Sequence, residues 1–236
     1  MEGLTSVSLV QFWTIFLAAI VHASLQLGLG SLLLLYHASL GKHIKKKTRV
    51  LVSNYIFGVA LLIDLIVSAL VFIVSTTAKG SLSAEVLGIA VSIMLMLAII
   101  IWFFYYKTKR STELWLPKTV ARYITNRAKL TESNTESFSL GMLTALAEMP
   151  FSAILMVVAG NSIVAFPLWC QPILVLMYVL IAILPLFVLR FFIRHGRTVV
   201  DVQKWRVKNR NFLKIMSGVG FMTLAIFIIA FRLMGE

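Results

Sequence analysis

The chain has 236 residues, of which 60% are hydrophobic and only 13% are charged, and its mean hydropathy is +0.94. A soluble globular domain usually carries about 25% charged residues, so this composition predicts a membrane protein. The net charge of +13 does not indicate nucleic-acid binding, because the basic residues fall between long apolar runs. The single cysteine, Cys170, excludes an intramolecular disulfide and a two-cysteine redox couple.

Six apolar runs are long enough to cross a bilayer, which takes about 20 residues. They cover residues 9–36, 50–75, 84–106, 138–160, 168–193 and 211–233. No basic residue precedes the first run and no small-residue cleavage motif follows it, so we expect a retained span there and not a signal peptide. The sequence therefore predicts an all-α integral membrane protein with six transmembrane helices.

The Lys and Arg residues cluster in alternate connections between these runs. The first, third and fifth connections, together with the ends of the runs beside them, contain 20 of the 22 basic residues. Because Lys and Arg near the ends of spans are retained in the cytoplasm, we expect these connections inside and both termini outside. In this orientation Trp13 and Trp169 lie near the outer interface and Trp102 lies near the inner one, where aromatic rings are favoured.

The longest connection, residues 107–137, has the pattern of an amphipathic helix. Leu116, Val120 and Ile124 recur at helical spacing on one face. Such a helix would lie flat on the inner leaflet, with its basic side chains at the lipid headgroups. The basic residues that we expect at this interface are Lys118, Arg122, Arg127 and Lys129. A solvated basic connector is the alternative, and it stays open.

Three spans on each side of this connection imply that the two halves enter the membrane in opposite orientations, as in an inverted repeat. Residues 16–35 can be laid on residues 138–157 without a gap. The overlay places Gln26 on Glu148 and Gly28 on Pro150, so that a polar residue precedes a helix breaker in each half. We divide the chain accordingly into a first three-helix repeat (1–106), a basic connector (107–137) and a second three-helix repeat (138–236).

This plan, together with the pattern Phe138, Gly141, Pro150 at the start of the second half, resembles the lysine-exporter (LysE) superfamily, which includes metal and small-solute exporters and the CcdA/DsbD-like thiol carriers. The thiol carriers have a reactive cysteine in each repeat-opening helix. This chain has Leu27–Leu29 and Met149–Phe151 at those places. The resemblance therefore implies export or another transmembrane passage, without redox activity.

Four polar side chains lie near the middle of predicted spans, where an ionisable group costs about a few kcal/mol unless it has a partner or a function. His22 and Gln26 share one face of the first span, Asp64 lies in the second and Glu148 in the fourth. If the spans cross without large tilt, these residues form a midplane constellation along a substrate or proton pathway. For Glu148 we expect a carboxyl that takes up and releases a proton or binds a cation.

Structural alternatives remain open for each of these residues. Glu148 would then be a protonated carboxyl that is hydrogen-bonded to a facing helix, with Gln26 as the candidate partner. Ser68 lies one turn from Asp64 and could satisfy it locally. A metal site built from His22, Asp64 and Glu148 is chemically admissible, but no local spacing supports it and we predict none.

Two prolines within the spans complete the predicted pathway. Pro150 cannot donate to the Leu146 carbonyl and Pro185 cannot donate to the Ile181 carbonyl, so each proline frees a backbone acceptor and favours a kink. Exposed backbone at membrane depth is tolerated inside protein or along a water-filled cavity. We therefore expect a broken helix beside Glu148; ordinary kinks satisfied by neighbouring helices are the alternative.

Together these features favour a secondary transporter, an exporter of a small solute or ion that is coupled to protons at Glu148. The alternative is a non-transporting membrane subunit that docks a protein partner or anionic lipid through its basic cytoplasmic face. The sequence contains no nucleotide loop and no hydrolase or metalloprotease motif, so we predict no enzymatic activity and no cofactor.

The expected partners are the lipid bilayer and a small solute or ion, and a homo-oligomer stays open. The outer connections are short. This favours the cytoplasmic membrane of a prokaryote as the location.

Overall fold

The structure is a computed structural model that describes residues 2–28, 45–78, 81–105, 123–124, 126–128, 130–131, 133–194, 204–205 and 208–233. These residues are helical apart from short turns, and no strand occurs among them. The helices are α1 (Glu2–Gly28), α2 (Lys45–Thr77), α3 (Ala84–Ile100), α4 (Asn134–Ala147), α5 (Met149–Val164), α6 (Gln171–Arg194) and α7 (Arg210–Ile228). A π-helical turn extends α3 over Ile101–Tyr105 and another extends α7 over Ile229–Leu233.

Among the described residues, five helices contain a stretch that is long and apolar enough to cross a membrane. These stretches are Leu9–Gln26, Val50–Thr77, Ala84–Phe103, Gln171–Phe191 and Asn211–Phe231. They agree within a few residues with five of the six predicted runs, although residues 29–36 of the first run lie outside the described residues. The fourth run differs, because it forms two helices, α4 and α5, that are bent by 80° at Glu148. Counting this bent pair as one span gives six.

The bent pair runs along α2 from one end of its apolar stretch to the other. Near the start of α4, the Ser137 hydroxyl donates to the Leu51 carbonyl at 2.5 Å. Near the end of α5, Gly160 lies against Leu70 and Val71. Leu51 and Val71 are 20 residues apart, which corresponds to about 30 Å of helix, the thickness of a hydrocarbon core. The bent pair therefore extends in the same direction as α2 and over the same depth.

The first half of α4 crosses α2 at two glycines. A Cβ atom on Gly58 would overlap the Phe138 carbonyl oxygen, and one on Gly141 would overlap the Tyr55 carbonyl oxygen. Only residues without a side chain allow two helix backbones to approach this closely. The start of α4 is also fixed by a capping box, in which Ser133 and Glu136 satisfy each other's backbone N–H groups.

α1 packs against α5, α6 and α7, and its apolar stretch is the most buried of the five. Val21 contacts Gly220, and the Ser24 hydroxyl donates to the Ser217 hydroxyl at 3.1 Å. These pairs step in opposite directions along the two chains, so α1 and α7 are antiparallel. α3 packs against the other side of α7, where Gly218 lies against Trp102.

The outward faces of the candidate spans carry large apolar side chains. Exposed examples occur on every one of them, among them Trp13, Phe57, Phe72, Ile89, Leu176 and Ile226. A continuous apolar surface of this kind is unfavourable in water and is suited to lipid. Length, composition and surface thus all fit a multi-pass membrane protein.

Candidate functional site

The centre of the site is the elbow between α4 and α5, and the sequence explains why the helix breaks there. The Glu148 N–H still donates to the Thr144 carbonyl at 3.1 Å, as in the last turn of α4. The Glu148 carbonyl already accepts from the N–H groups of Phe151 and Ser152, at 2.9 and 3.1 Å, as in the first turn of α5. Pro150 follows in this first turn, where a missing N–H costs nothing.

The elbow leaves backbone acceptors without their usual helical donors. The residue four positions after Leu146 is Pro150, which has no N–H, and the Phe151 N–H donates to Glu148 in place of Ala147. The predicted break beside Glu148 is therefore present, and its 80° bend is larger than an ordinary proline kink.

The Glu148 side chain is buried, with 1% of its surface exposed. Its Oε2 accepts a hydrogen bond of 2.6 Å from Gln26 Nε2 of α1, which is equally buried. No described residue donates to its other oxygen, Oε1. Burying a carboxyl with one oxygen unpaired is costly, since a buried polar atom without a partner loses about 1–3 kcal/mol. The site therefore retains the capacity to bind a proton or a cation at this oxygen.

Two further polar contacts join the neighbouring turns of α1 to the second half of the chain. His22 lies one turn before Gln26, and its Nδ1 is hydrogen-bonded to the Tyr178 hydroxyl of α6 at 3.0 Å. Ser24 bonds to Ser217 of α7, as described above. Both His22 and Tyr178 are buried. The structure thus brings His22, Gln26 and Glu148 into one buried region, with His22 paired to α6 and not to a carboxylate.

Asp64 is placed differently from the other three predicted residues. It is half-buried on α2, at the border between buried Ile63 and exposed Leu65. Neither the hydrogen bond of Glu148 nor that of His22 involves it. Among the described residues, no group of three or more His, Cys, Asp or Glu side chains could hold a metal ion.

The two predicted prolines also differ from each other. Pro150 stands at the elbow, whereas Pro185 is buried inside α6, which continues from Gln171 to Arg194 without interruption. The helix break therefore occurs at one of the two prolines, the one beside the buried carboxyl.

Of the four basic residues predicted at the cytoplasmic interface, the structure describes Arg127; Lys118, Arg122 and Lys129 lie outside the described residues. Residues 123–124, 126–128 and 130 are helical, with Ile124 and Ala128 buried and Tyr123 and Arg127 exposed, so this part of the predicted helix is amphipathic. The Arg127 Nε donates to the Tyr123 hydroxyl at 3.4 Å, and this hydrogen bond raises the pKa of Arg127.

A groove of about 260 Å³ opens between this segment and the start of α4. It is lined by Tyr123, Arg127, Leu130, Thr131, Thr135, Glu136, Ser139, Leu140 and Leu143. Apolar, hydroxyl and charged side chains therefore meet in one groove, at the end of α4 that is opposite the elbow.

Sequence reasoning missed several buried polar residues, namely Gln11, Tyr178, Asn161, Ser24 and Ser217. Gln11 lies at helical spacing from His22 and Gln26, being eleven residues before the first, so the polar stripe on α1 was visible in principle. Tyr178 gave no such signal, because aromatic residues are common in membrane spans and only the packing of α6 on α1 shows that its hydroxyl is buried.

The long apolar helices and the buried polar site fit the class of multi-pass, α-helical integral membrane proteins. No family model, no curated protein and no solved structure matches this chain.

Proposed function

We propose that the protein is a secondary membrane transporter, a proton-coupled exporter of a small solute or ion, with Glu148 at its centre. The observation that carries this proposal is the buried Glu148 side chain at a helix break, with one oxygen bound to Gln26 and the other without a donor among the described residues. Ionisable residues inside a membrane span mark ion and substrate pathways, and discontinuous helices form the binding sites of many transporters.

The chemistry around Glu148 favours a positively charged ligand, and the proton is the smallest of these. Among the described residues, no Lys or Arg is fully buried, so no fixed cation competes for the carboxyl. The Ala147 carbonyl, whose usual helical donor, the Phe151 N–H, bonds to Glu148 instead, is a further acceptor at the elbow. A proton or a cation at Oε1 would relieve the cost of the unpaired oxygen, and its release would restore that cost.

The packing of the helices supports six spans in two inverted halves. The bent pair runs parallel to α2, as an alternating series of six spans requires of its second and fourth members. α2 packs mainly on α4, and α1 packs on α6. These two contacts are equivalent if the first half, α1 to α3, is related to the second half, α4 to α7, by a two-fold axis in the membrane plane.

The sequence overlay of the two halves gives independent support. It places Gln26 on Glu148, and these two side chains are hydrogen-bonded to each other. Equivalent residues of an inverted repeat meet in this way when they lie close to the symmetry axis. With the basic connections inside, the six-span plan puts both termini outside, in the cytoplasmic membrane of a prokaryote, and it fits the resemblance to the lysine-exporter superfamily.

The test is proton-coupled uptake and efflux in proteoliposomes, screened over amino acids and divalent cations, with wild type beside Glu148→Gln. The glutamine keeps the shape and a hydrogen-bond partner for Gln26 but cannot exchange a proton. We expect Glu148→Gln to abolish coupled transport, a loss of at least about 100-fold, as for removal of an acid–base group. The unfolding temperature should change little.

Asp64→Asn is the matched control, since it makes the same chemical change in a half-buried carboxyl outside the buried cluster. It should retain most of the transport activity. Equal losses in both variants would contradict the assignment of the site to Glu148. A wild-type protein that folds and transports nothing across the panel would contradict the transporter itself.

The groove beside Arg127 favours a second candidate function, a membrane subunit that docks anionic lipid or a protein partner through its cytoplasmic face. The exposed guanidinium, the neighbouring hydroxyl groups and the leucines suit a phospholipid headgroup and the start of its chains. Basic residues near a membrane surface gain about 1 kcal/mol each from anionic lipid.

This candidate predicts that anionic lipid raises the unfolding temperature of the protein in nanodiscs. Arg127→Gln should remove part of that increase, while Lys79→Gln, on the opposite side of the predicted membrane, should not. If Arg127→Gln matters less than Glu148→Gln for every measured property, the docking function loses its support.

A further inference from the structure

Three buried side-chain atoms among the described residues have no hydrogen-bond partner, namely Gln11 Oε1, Glu148 Oε1 and Asn161 Nδ2. Gln11 belongs to α1, Glu148 to the elbow and Asn161 to α5, and α1 and α5 pack against each other. Most buried polar atoms in proteins are paired. The unpaired atoms of the described chain are thus concentrated on one pair of helices.

The order of these atoms along the helix pair follows from the Gln26 to Glu148 hydrogen bond. α5 packs against the described part of α1, Glu2–Gly28, which extends only two residues beyond Gln26. From Glu148, α5 therefore runs along α1 towards the start of α1. Gln11 is 15 residues before Gln26, or about 22 Å of helix. Asn161 is 13 residues after Glu148, or about 20 Å. Gln11 and Asn161 therefore lie at the same level, within one helical turn.

That level is near the end of the bundle where α2 is followed by α3. Asn161 Oδ1 accepts from the Leu82 N–H at 2.8 Å, in the turn before α3. This bond assigns the Asn161 oxygen, so the unpaired atom is its amide nitrogen, a donor. The unpaired Gln11 atom is an amide oxygen, an acceptor. Between this level and Glu148 lie fully buried apolar side chains of both helices, including Ile15 and Leu155.

We infer that Gln11 and Asn161 form a second polar station on the α1–α5 interface, which holds water at the outer end of the path to Glu148. The inference rests on the proposed function, because it places a water site on the same helix interface as that carboxyl. A water molecule accepts from the Asn161 amide and donates to the Gln11 oxygen. A bare cation would be repelled by the amide N–H, and an anion by the amide oxygen.

Cysteine labelling tests the station without any transport measurement. In a Cys170→Ser background, single cysteines at Gln11, Asn161, Ile163 and Ile173 are reacted with N-ethylmaleimide in proteoliposomes. Ile163 is buried on the same helix as Asn161, and Ile173 is exposed on the lipid side of α6. Only thiolates react, and apolar surroundings suppress them, so we expect Gln11→Cys and Asn161→Cys to react at least about tenfold faster than the two controls.

Equal, slow labelling of all four cysteines would overturn the station. It would leave the proposed function standing if Glu148→Gln still abolishes transport, so the two failures are distinguishable. A second variant, Asn161→Asp, keeps an oxygen for the Leu82 N–H but replaces the unpaired donor with an acceptor. We expect it to slow coupled transport several-fold in a protein that still folds; wild-type transport in a folded Asn161→Asp protein would also overturn the inference.

Discussion

The two ends of the bent pair are held in opposite ways. At the start of α4, one glycine on each helix brings the backbones of α4 and α2 into contact, Ser137 bonds to the α2 backbone and a capping box fixes the helix start. At the elbow, the helix is interrupted and one Glu148 carboxyl oxygen has no donor among the described residues. The start of α4 is thus closely packed and its polar groups are paired. The elbow, by contrast, interrupts the helix and leaves a buried polar atom without a donor among the described residues.

This difference separates a region that stabilises the fold from the region of the proposed site. Departures from local consistency persist when the surrounding structure holds them in place, and they concentrate at functional sites. The crossing of α4 and α2 is the firm support against which the elbow can be held. Changes at the crossing should therefore affect mainly stability, and changes at the elbow should affect activity as well.

The largest effect on stability is expected from filling the glycine crossing. In Gly58→Ala and Gly141→Ala, the new methyl group meets a backbone carbonyl oxygen that cannot rotate away. Overpacking of this kind costs about 1–3 kcal/mol for each change. Thermal or denaturant unfolding in detergent measures it, and the double variant should fall furthest.

Gly88→Ala is the control for this prediction. Gly88 is also helical, but nothing lies within 4 Å of a Cβ atom placed there. Alanine should therefore stabilise α3 by up to about 1 kcal/mol, because glycine is the poorer helix former. If Gly58→Ala and Gly141→Ala behave like Gly88→Ala, the close crossing is wrong.

The next effect concerns the bond between Gln26 and Glu148. Gln26→Leu leaves both Glu148 oxygens without a donor among the described residues, which should cost about 1–3 kcal/mol of stability. The same change should be milder in a Glu148→Leu background, where no carboxyl remains. A double-mutant cycle on unfolding free energies should give a coupling of about 0.5–3 kcal/mol; additive effects would mean that the bond does not contribute.

The positions of the helices were largely predictable from the sequence, because a span must have an apolar stretch as long as the bilayer is thick. Five runs were confirmed, with boundaries at residues such as Ala84 that the structure reproduces. The break at Glu148 was also predicted, since proline removes a donor whatever surrounds it. Its 80° bend was not, because the angle depends on α5 packing against α1, a contact between segments more than 100 residues apart.

The members of the site were harder to predict than the spans. Depth along a helix follows from sequence position, and it correctly indicated that Glu148 and Gln26 could meet. The direction in which a side chain points around the helix depends on tertiary packing. For this reason Asp64, at a similar depth, is half-buried outside the cluster, and Tyr178 was found only in the structure.

The smallest effect is expected at Ser137, which adds one hydrogen bond to the firm end of α4. Ser137→Ala removes the hydroxyl that donates to the Leu51 carbonyl. This carbonyl has a second lone pair, which can still accept a hydrogen bond within its own helix. We expect a loss of about 0.5–1.5 kcal/mol in unfolding free energy and unchanged coupled transport. Ser139→Ala, two residues along on the exposed side of α4, should change neither. If Ser137→Ala lowered transport more than stability, the start of α4 would belong to the moving part of the protein, and the contrast between its two ends would fail.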